Sequence, residues 1–289
     1  MSILKNIFSI TKTDSFYILT ILGIKIKKRY NKKEQDKKNC FVNKSLCLQN
    51  LYKTHSEVFS QFKNINVGKD VAIIATGPTL AKYQPIENTV NIGLNRAYQY
   101  DKVKLDYLFL QDGTATKDYI KEIDNLSDIH KFYGRILFNE TYREKICIPE
   151  YHLLNEKCYQ FYSYGYHDAE IKPNIEVYPL FTSASIAFPA IHFALFTHPK
   201  KIYLVGCDTT SAPYWDGKNR EQDFLNIEDK VTKMMLDGYL KLKEFVEIYY
   251  PDVEIISVNP VGLKGLFKDL IQGEQNVQDW QINNAYKYF

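Results

Sequence analysis

This chain of 289 residues is poor in the features that assign a protein quickly to a class. It has five cysteines, Cys40, Cys47, Cys147, Cys158 and Cys207. Their number is odd and no two are spaced as CxxC, so neither a disulfide framework nor a zinc site is indicated, and a reducing, cytoplasmic setting is expected. No small-residue cleavage site of the signal-peptide kind follows the N-terminal stretch. The longest apolar stretch there, residues 16–24, is about half the roughly 20 residues that span a bilayer. Neither sign of charge dominates: a net charge of +3 is too small to argue for a nucleic-acid partner.

What is present is apolar and aromatic. The hydrophobic fraction of 45% is ample for a sizeable core and excludes global disorder. The 23 tyrosines and 17 phenylalanines reflect either codon usage biased toward such residues or an aromatic binding surface. The length suits one large domain with extensions.

The pattern along the chain divides it into an N-terminal extension (1–68), an α/β domain (69–272) and a polar tail (273–289). In the extension, apolar residues 16–24 are followed by Lys25, Lys27, Lys28, Arg29, Lys32, Lys33, Lys37 and Lys38. Such a pairing either lies on an anionic membrane surface, each cation contributing about 1 kcal/mol, or is a β-hairpin running into a charged, solvated linker. Residues 50–62 read as a short helix.

The core opens with an apolar run at 71–75 ended by Gly77-Pro78, a buried strand entering a turn. Residues 90–94, 107–110 and 201–206 are further strands, as is 253–258, while 135–138 and 176–178 are weaker ones. Residues 183–196 are apolar all round and predict a buried helix bent near Pro189. Apolar positions 224, 227, 231, 234, 235, 239, 242, 246 and 249 predict a long amphipathic helix to about Tyr250, and 262–271 a short one. Strands alternating with helices make a Rossmann-like α/β fold, a mostly parallel sheet with helices on both faces. The segment near 140–175 reads as a lid-like insertion. Its His152 and His167, with Tyr162, Tyr164 and Tyr166, are either acceptor-facing or structural.

In open parallel sheets ligands bind outside the carboxyl ends of the strands, so the residues after each strand carry the chemistry. After the first come Thr76, Gly77, Pro78 and Thr79: a close backbone approach at the glycine, a proline suited to a helix's first position, and free N–H groups that would face a phosphate, unless the segment is only a tight turn. After the second come Asn95 and Arg96, suited to a ribose or base edge and to a phosphate, or else a cap and a surface cation. After the third come Gln111 and Asp112. Thr182 and Ser183 precede the buried helix as ligand hydroxyls or as caps. After the 201–206 strand come Cys207 and Asp208, then a loop holding Tyr214, Trp215 and Asp216.

These residues carry a resemblance. The segments AIIATGPTL, NIGLNRAYQY, FTSASIAFPAIHFAL, KKIYLVGCD and VEIISVNPVGLKGLF resemble the bacterial sialyltransferases of glycosyltransferase family 42, over residues 70–270 with a divergent middle. The same skeleton occurs in the wider group of 6-hydroxymethylpterin diphosphokinase-like proteins and flagellin-modifying motility factors, which DYLFLQD resembles more. The resemblance implies a sialyltransferase-like variant of the GT-A type. It implies that Thr76, Gly77, Asn95, Gln111, Thr182 and Ser183 contact a CMP-linked sugar. Tyr214 would stand where a family tyrosine stabilises the leaving phosphate, at a shorter spacing from Asp208; the second such tyrosine falls at Thr210. The family's histidine base has no counterpart, because no histidine follows His198. The base would then be a loop carboxylate, Asp216, Glu221 or Asp223, or the chemistry differs.

The function so implied is metal-independent, inverting transfer of a CMP-activated nonulosonic acid such as sialic acid to a surface glycan (lipopolysaccharide or capsule), at the cytoplasmic face of the membrane and without cofactor. Catalysis would rest on Asp216, Tyr214, Asp208 and Asp112; donor binding on Thr76, Gly77, Pro78, Thr79, Asn95, Arg96, Gln111, Thr182 and Ser183. Two alternatives stay open: a pyrophosphokinase-like transfer with Mg²⁺ held by Asp112 and Asp208, and a catalytically inactive nucleotide-binding partner.

Overall fold

The computed structural model describes residues 8–12, 16–21, 24–29, 32–111, 113–138, 143–146, 157–164, 170–210, 212–218 and 228–272. Asp112, His152, Tyr166, His167, Glu221, Asp223 and the tail 273–289 lie outside them. The chain divides into two compact units, Met1–Leu48 and Gln49–Phe289.

The first unit holds an antiparallel sheet of β1 (Phe8–Lys12), β2 (Phe16–Ile21) and β3 (Ile24–Arg29), in that order. The hairpin expected from the sequence is there, but no charged linker follows it. The lysine-rich stretch opens α1 (Lys32–Phe59), a helix of 28 residues. Lys, Glu, Gln and Leu are good helix formers, and neither glycine nor proline interrupts them. The short helix read at 50–62 is the end of α1 with a 3₁₀ turn, Ser60–Phe62.

The second unit is built on a nine-stranded sheet. Its strands are β4 (Asp70–Ile74), β5 (Thr89–Leu94), β6 (Tyr107–Leu110), β7 (His130–Phe138), β8 (Arg143–Ile146), β9 (Cys158–Tyr164), β10 (Lys201–Val205), β11 (Glu254–Val258) and β12 (Lys268–Leu270). The order is β12-β11-β10-β4-β5-β6-β7-β8, with β9 on the other edge of β7. Every pair is parallel except β7 with β8. The helices are α2 (Gly113–Asp124), α3 (Ala187–Phe196) and α4 (Glu228–Tyr249).

Strand alternation explains the two-sided burial. Val71, Ile73, Phe109, Ile202 and Leu204 face a core shared with Phe59 of α1, α3 and α4. Ala72, Ile74, Leu108, Leu110 and Val205 face a second core with Ile123 of α2. Neighbouring residues thus line opposite faces of one pleat. Among the described residues, many of the aromatics are core: Phe62 lies with its ring centroid 5.4 Å from those of Phe132, Tyr159 and Phe193, and Phe109 stacks on Phe132 at 4.6 Å.

Three expectations are corrected. The buried helix starts at Ala187, not 183, so Pro189 falls in its first turn, where the missing N–H has no intrahelical acceptor and forces no bend. Residues 176–178 are turns, and β9, whose sequence CYQFYSY mixes aromatic and polar positions, takes the place beside β7. Residues 262–271 form turns and then the edge strand β12, because Gly265 at φ +75° breaks the helical path.

Two buried histidines fix the chain between β9 and α3. His55 on α1 donates from Nδ1 to the Ile175 and Tyr178 carbonyls (2.8 and 3.0 Å) and accepts the Tyr162 N–H at Nε2 (2.7 Å). His192 on α3 accepts the Phe181 N–H (3.0 Å) and reaches the Lys172 carbonyl (2.8 Å). Each ring is neutral, one nitrogen donating and one accepting. Burial brings each pKa down to about 4, against the opposing pull of those carbonyls. The unfolded chain therefore takes up protons that the folded chain refuses, so stability is full above pH 6.5 and is lost as pH falls toward 4. At about 1.4 kcal/mol per pKa unit, the loss is on the order of 3 kcal/mol per ring. Urea unfolding should show this fall, with a shallower slope for His192→Gln; a flat profile across that window would contradict the assignment.

Candidate active site

β4 and β10 are neighbours, yet the chain leaves β4 toward β5 on one side and β10 toward β11 on the other. This is the topological switch point, where loops diverge and a crevice opens at the carboxyl ends. The two loops are fastened together across it. Ala75 N–H donates to the Val205 carbonyl (2.8 Å) and Gly77 N–H to the Gly206 carbonyl (3.0 Å). Asp208, only 3% exposed, accepts the Thr79 N–H at Oδ2 (2.9 Å) and the Thr79 hydroxyl at Oδ1 (2.5 Å).

This clasp changes the role of the turn. Pro78 does open a helical turn, the 3₁₀ segment Pro78–Lys82, as its fixed φ favours. The turn's N–H groups are already engaged: Thr79 on Asp208, Leu80 on the Gly77 carbonyl. A side chain of this protein, not a ligand, takes the anion's place. Gly77 is required for the same reason, since a Cβ there would overlap Asp208 Oδ2 and the Gly206 carbonyl oxygen. Gly206 itself has φ +64°, and a Cβ on it would sit 2.7 Å from the Ala75 carbonyl oxygen. The close approach read at Gly77 is between two loops of the protein. Asp208, read from the sequence as a sugar or Mg²⁺ contact, holds both oxygens on Thr79 and so clasps the two loops.

The polar groups left over lie on the adjacent strand ends. Thr76 lies just past the end of β4, Asn95 directly follows β5 and Gln111 directly follows β6. Asn95, at φ +47°, accepts the Gln111 N–H at Oδ1 (3.3 Å), and Gln111 donates from Nε2 to Ser163 of β9 (2.5 Å). Each amide thus spends one end on the protein and is held in place by it. Among the described residues, the Asn95 amide nitrogen, the Gln111 amide oxygen and the Thr76 hydroxyl take no protein partner. Left-handed backbone for a non-glycine costs of order 1 kcal/mol or more, and it recurs on this rim at Thr209 (φ +50°) and Asn259 (φ +49°).

Arg96 is buried and turned onto the loop that follows β10. Its guanidinium donates to Asp216 (2.6 Å) and lies 5.3, 5.3 and 5.5 Å from the ring centroids of Tyr119, Tyr214 and Trp215. Weakly hydrated and planar, a guanidinium suits such an aromatic surround. Trp215 N–H donates to the Thr76 carbonyl (3.3 Å), so the loop spans the ends of β4 and β5. Arg96, read from the sequence as a phosphate contact, holds this loop as a strut through Asp216. Partial burial would raise the Asp216 carboxyl, but the Lys218 amide, Arg96 and the Lys218 ammonium outweigh it and hold it below the usual range. A carboxylate held by two cations is a weaker proton acceptor, and here Asp216 anchors the loop to Arg96.

Thr182 and Ser183 precede α3, whose far end leads into the amino end of β10, so they stand at the level of the strands' carboxyl ends. Ser183 donates to the Met234 carbonyl of α4 (2.6 Å) and Thr182 to the Ser185 carbonyl (3.3 Å). Both hydroxyls thus have local partners. No described histidine reaches the rim: His55 and His192 are bound to backbone on both nitrogens, and His130 and His198 lie at the amino ends of β7 and β10.

Removing one partner of the strut should loosen the loop without unfolding the sheet. Arg96→Lys or Asp216→Asn should shift Trp215 emission to the red and raise its accessibility to acrylamide, with far-ultraviolet circular dichroism unchanged. Because the Asp216 carboxyl is held low, the wild-type signal should persist on acidification until that carboxyl protonates. Emission unchanged in both variants would refute the strut.

No family model matches this chain, and no curated relative does. Solved structures similar to it include the sialyltransferase CstII from Campylobacter jejuni with the substrate analogue CMP-3FNeuAc, at 13% identity over 76% of this chain and 99% of that one, with a TM-score of 0.36. The same enzyme with cytidine-5′-monophosphate matches at 12% identity over 78% and 100%, with a TM-score of 0.37. Sialyltransferase CST-II with a trisaccharide acceptor and CMP matches at 13% identity over 65% and 80%, with a TM-score of 0.33.

Proposed function

We propose that this chain is a glycosyltransferase that moves a CMP-activated nonulosonic acid onto a glycan hydroxyl, with inversion and without metal. One observation carries the reading. The segments on which the resemblance rests are far apart in sequence, yet Thr76, Asn95 and Gln111 come to the ends of three adjacent strands at the switch point, each offering an unpaired neutral group. Neutral donors and acceptors held by the protein suit sugar, ribose and base edges better than a metal-bound polyphosphate. Both Asp208 oxygens accept hydrogen bonds from Thr79, which favours the metal-free reading over one with Mg²⁺ on that carboxylate.

In this reaction the acceptor oxygen attacks the anomeric carbon as its bond to the phosphate breaks, and CMP leaves with the electron pair. Tyr214, beside Arg96 on the loop over the rim, would donate to the departing phosphate oxygen. The acceptor's proton needs a base, and with Asp216 engaged by Arg96 the loop acids Glu221 and Asp223 are the candidates.

The engaged Asp216 also favours a second reading, an inactive nucleotide-binding partner. Thermal shift against CMP, CDP, UDP, GDP and ATP, with turnover of a CMP-nonulosonate in EDTA, separates the two. The transferase reading expects CMP to stabilise by about 2.7 kcal/mol at a hundredfold its Kd. It also expects turnover in EDTA, a CMP affinity at least about tenfold weaker in Asn95→Ala, and kcat lowered about 10²-fold in Tyr214→Phe. CMP stabilisation without turnover supports the second reading. No CMP stabilisation, or strict Mg²⁺ dependence, overturns the proposal.

A further inference from the structure

The first unit carries a surface that the chemistry of the crevice does not use. Antiparallel register sets its positions in rows. One parity holds Phe8, Ile21 and Ile24 in the first row, Ile10, Leu19 and Ile26 in the second, and Lys12, Tyr17 and Lys28 in the third. The other parity holds Ser9, Thr20 and Lys25, then Thr11, Ile18 and Lys27, with Phe16 and Arg29 beyond. Because successive residues of a strand belong to opposite faces, Leu19, Ile24 and Ile26 share one face, and Thr20 and Lys25 share the other. An antiparallel sheet with such an alternation covers its apolar side. Here Ile24 is 69% and Ile26 53% exposed, so this side stands uncovered at β3.

We propose that this sheet docks its apolar face on an anionic bilayer surface. Charge is the first argument. The three strands hold the cations Lys12, Lys25, Lys27, Lys28 and Arg29 and no acid, so an anionic surface is favoured and a second copy of the same sheet is repelled. Length is the second. Strands of five and six residues are too short to cross a bilayer, which takes about 9–11 per strand, so the sheet lies on the surface. The inference sharpens the sequence reading: the contact is a sheet face, and the lysines from Lys32 onward belong to a helix. It does not depend on the reaction proposed for the crevice.

The test uses the full chain and sedimentation with vesicles of phosphatidylcholine, alone or mixed with phosphatidylserine, at low and high salt. Binding should require phosphatidylserine and weaken with salt. Ile24→Asp with Ile26→Asp should weaken it by at least about tenfold, since exposed isoleucines that enter the interface forfeit burial. Lys25→Glu with Lys27→Glu should abolish the preference for phosphatidylserine. Ile248→Asp, on an equally exposed isoleucine of α4, should change nothing. Ile24→Trp should shift its emission to the blue on these vesicles and Lys25→Trp should not; circular dichroism checks that each variant keeps its fold. The proposal is overturned if the wild type ignores anionic vesicles at low salt. It is equally overturned if the isoleucine variants lose self-association and no vesicle binding, since a second copy then occupies the face.

Discussion

The interaction on which this structure depends is the clasp of Asp208 on Thr79. A doubly wound sheet opens at its switch point because two neighbouring strands send their chains in opposite directions, and without a tie the loops after β4 and β10 would drift apart. Asp208 supplies that tie with a buried carboxylate that accepts two hydrogen bonds, while Gly77 and Gly206 let the two backbones meet. A carboxylate this deeply buried is tolerable because charged hydrogen bonds replace its hydration. With the clasp closed, the loop after β4 is fixed beside the loop after β10.

Around the clasp, the same economy recurs: side chains that look like ligand groups hold other parts of the site. Arg96 carries the loop of Tyr214, Trp215 and Asp216 through one ion pair and three aromatic faces. Ser183 ties the start of α3 to α4, and His55 and His192 pin the chain between β9 and α3. What remains for a ligand is half of each amide on the rim, oriented by the other half. Such preorganisation lowers the ordering cost that binding would otherwise carry.

How much of this was legible in the sequence follows from the range of each signal. β4, β5, β6, β10 and β11 are short apolar runs bounded by turn residues, and the pattern marks them directly. α1 was mistaken in part because its first half is lysine-rich and lacks an apolar stripe, and β9 because its alternation of aromatic and polar residues falls between the strand and loop patterns. The strand ends that form the rim were located correctly, since the rule for parallel sheets needs only strand order. The roles of Asp208 and Arg96 were not legible. Their partners lie 129 residues away at Thr79 and 120 away at Asp216, and only the folded sheet brings them together. A sequence shows that a carboxylate follows a strand; it does not show that a neighbouring turn already occupies it.

The clasp is open to direct measurement by a double-mutant cycle in urea unfolding, with Thr79→Val, Asp208→Asn and the pair. A hydroxyl bonded to a buried carboxylate is worth about 1.5–3 kcal/mol, so the two changes should be strongly non-additive, with a coupling energy in that range. Changes that add to within about 0.5 kcal/mol would mean that Thr79 and Asp208 act independently, and the account of the switch point would be wrong.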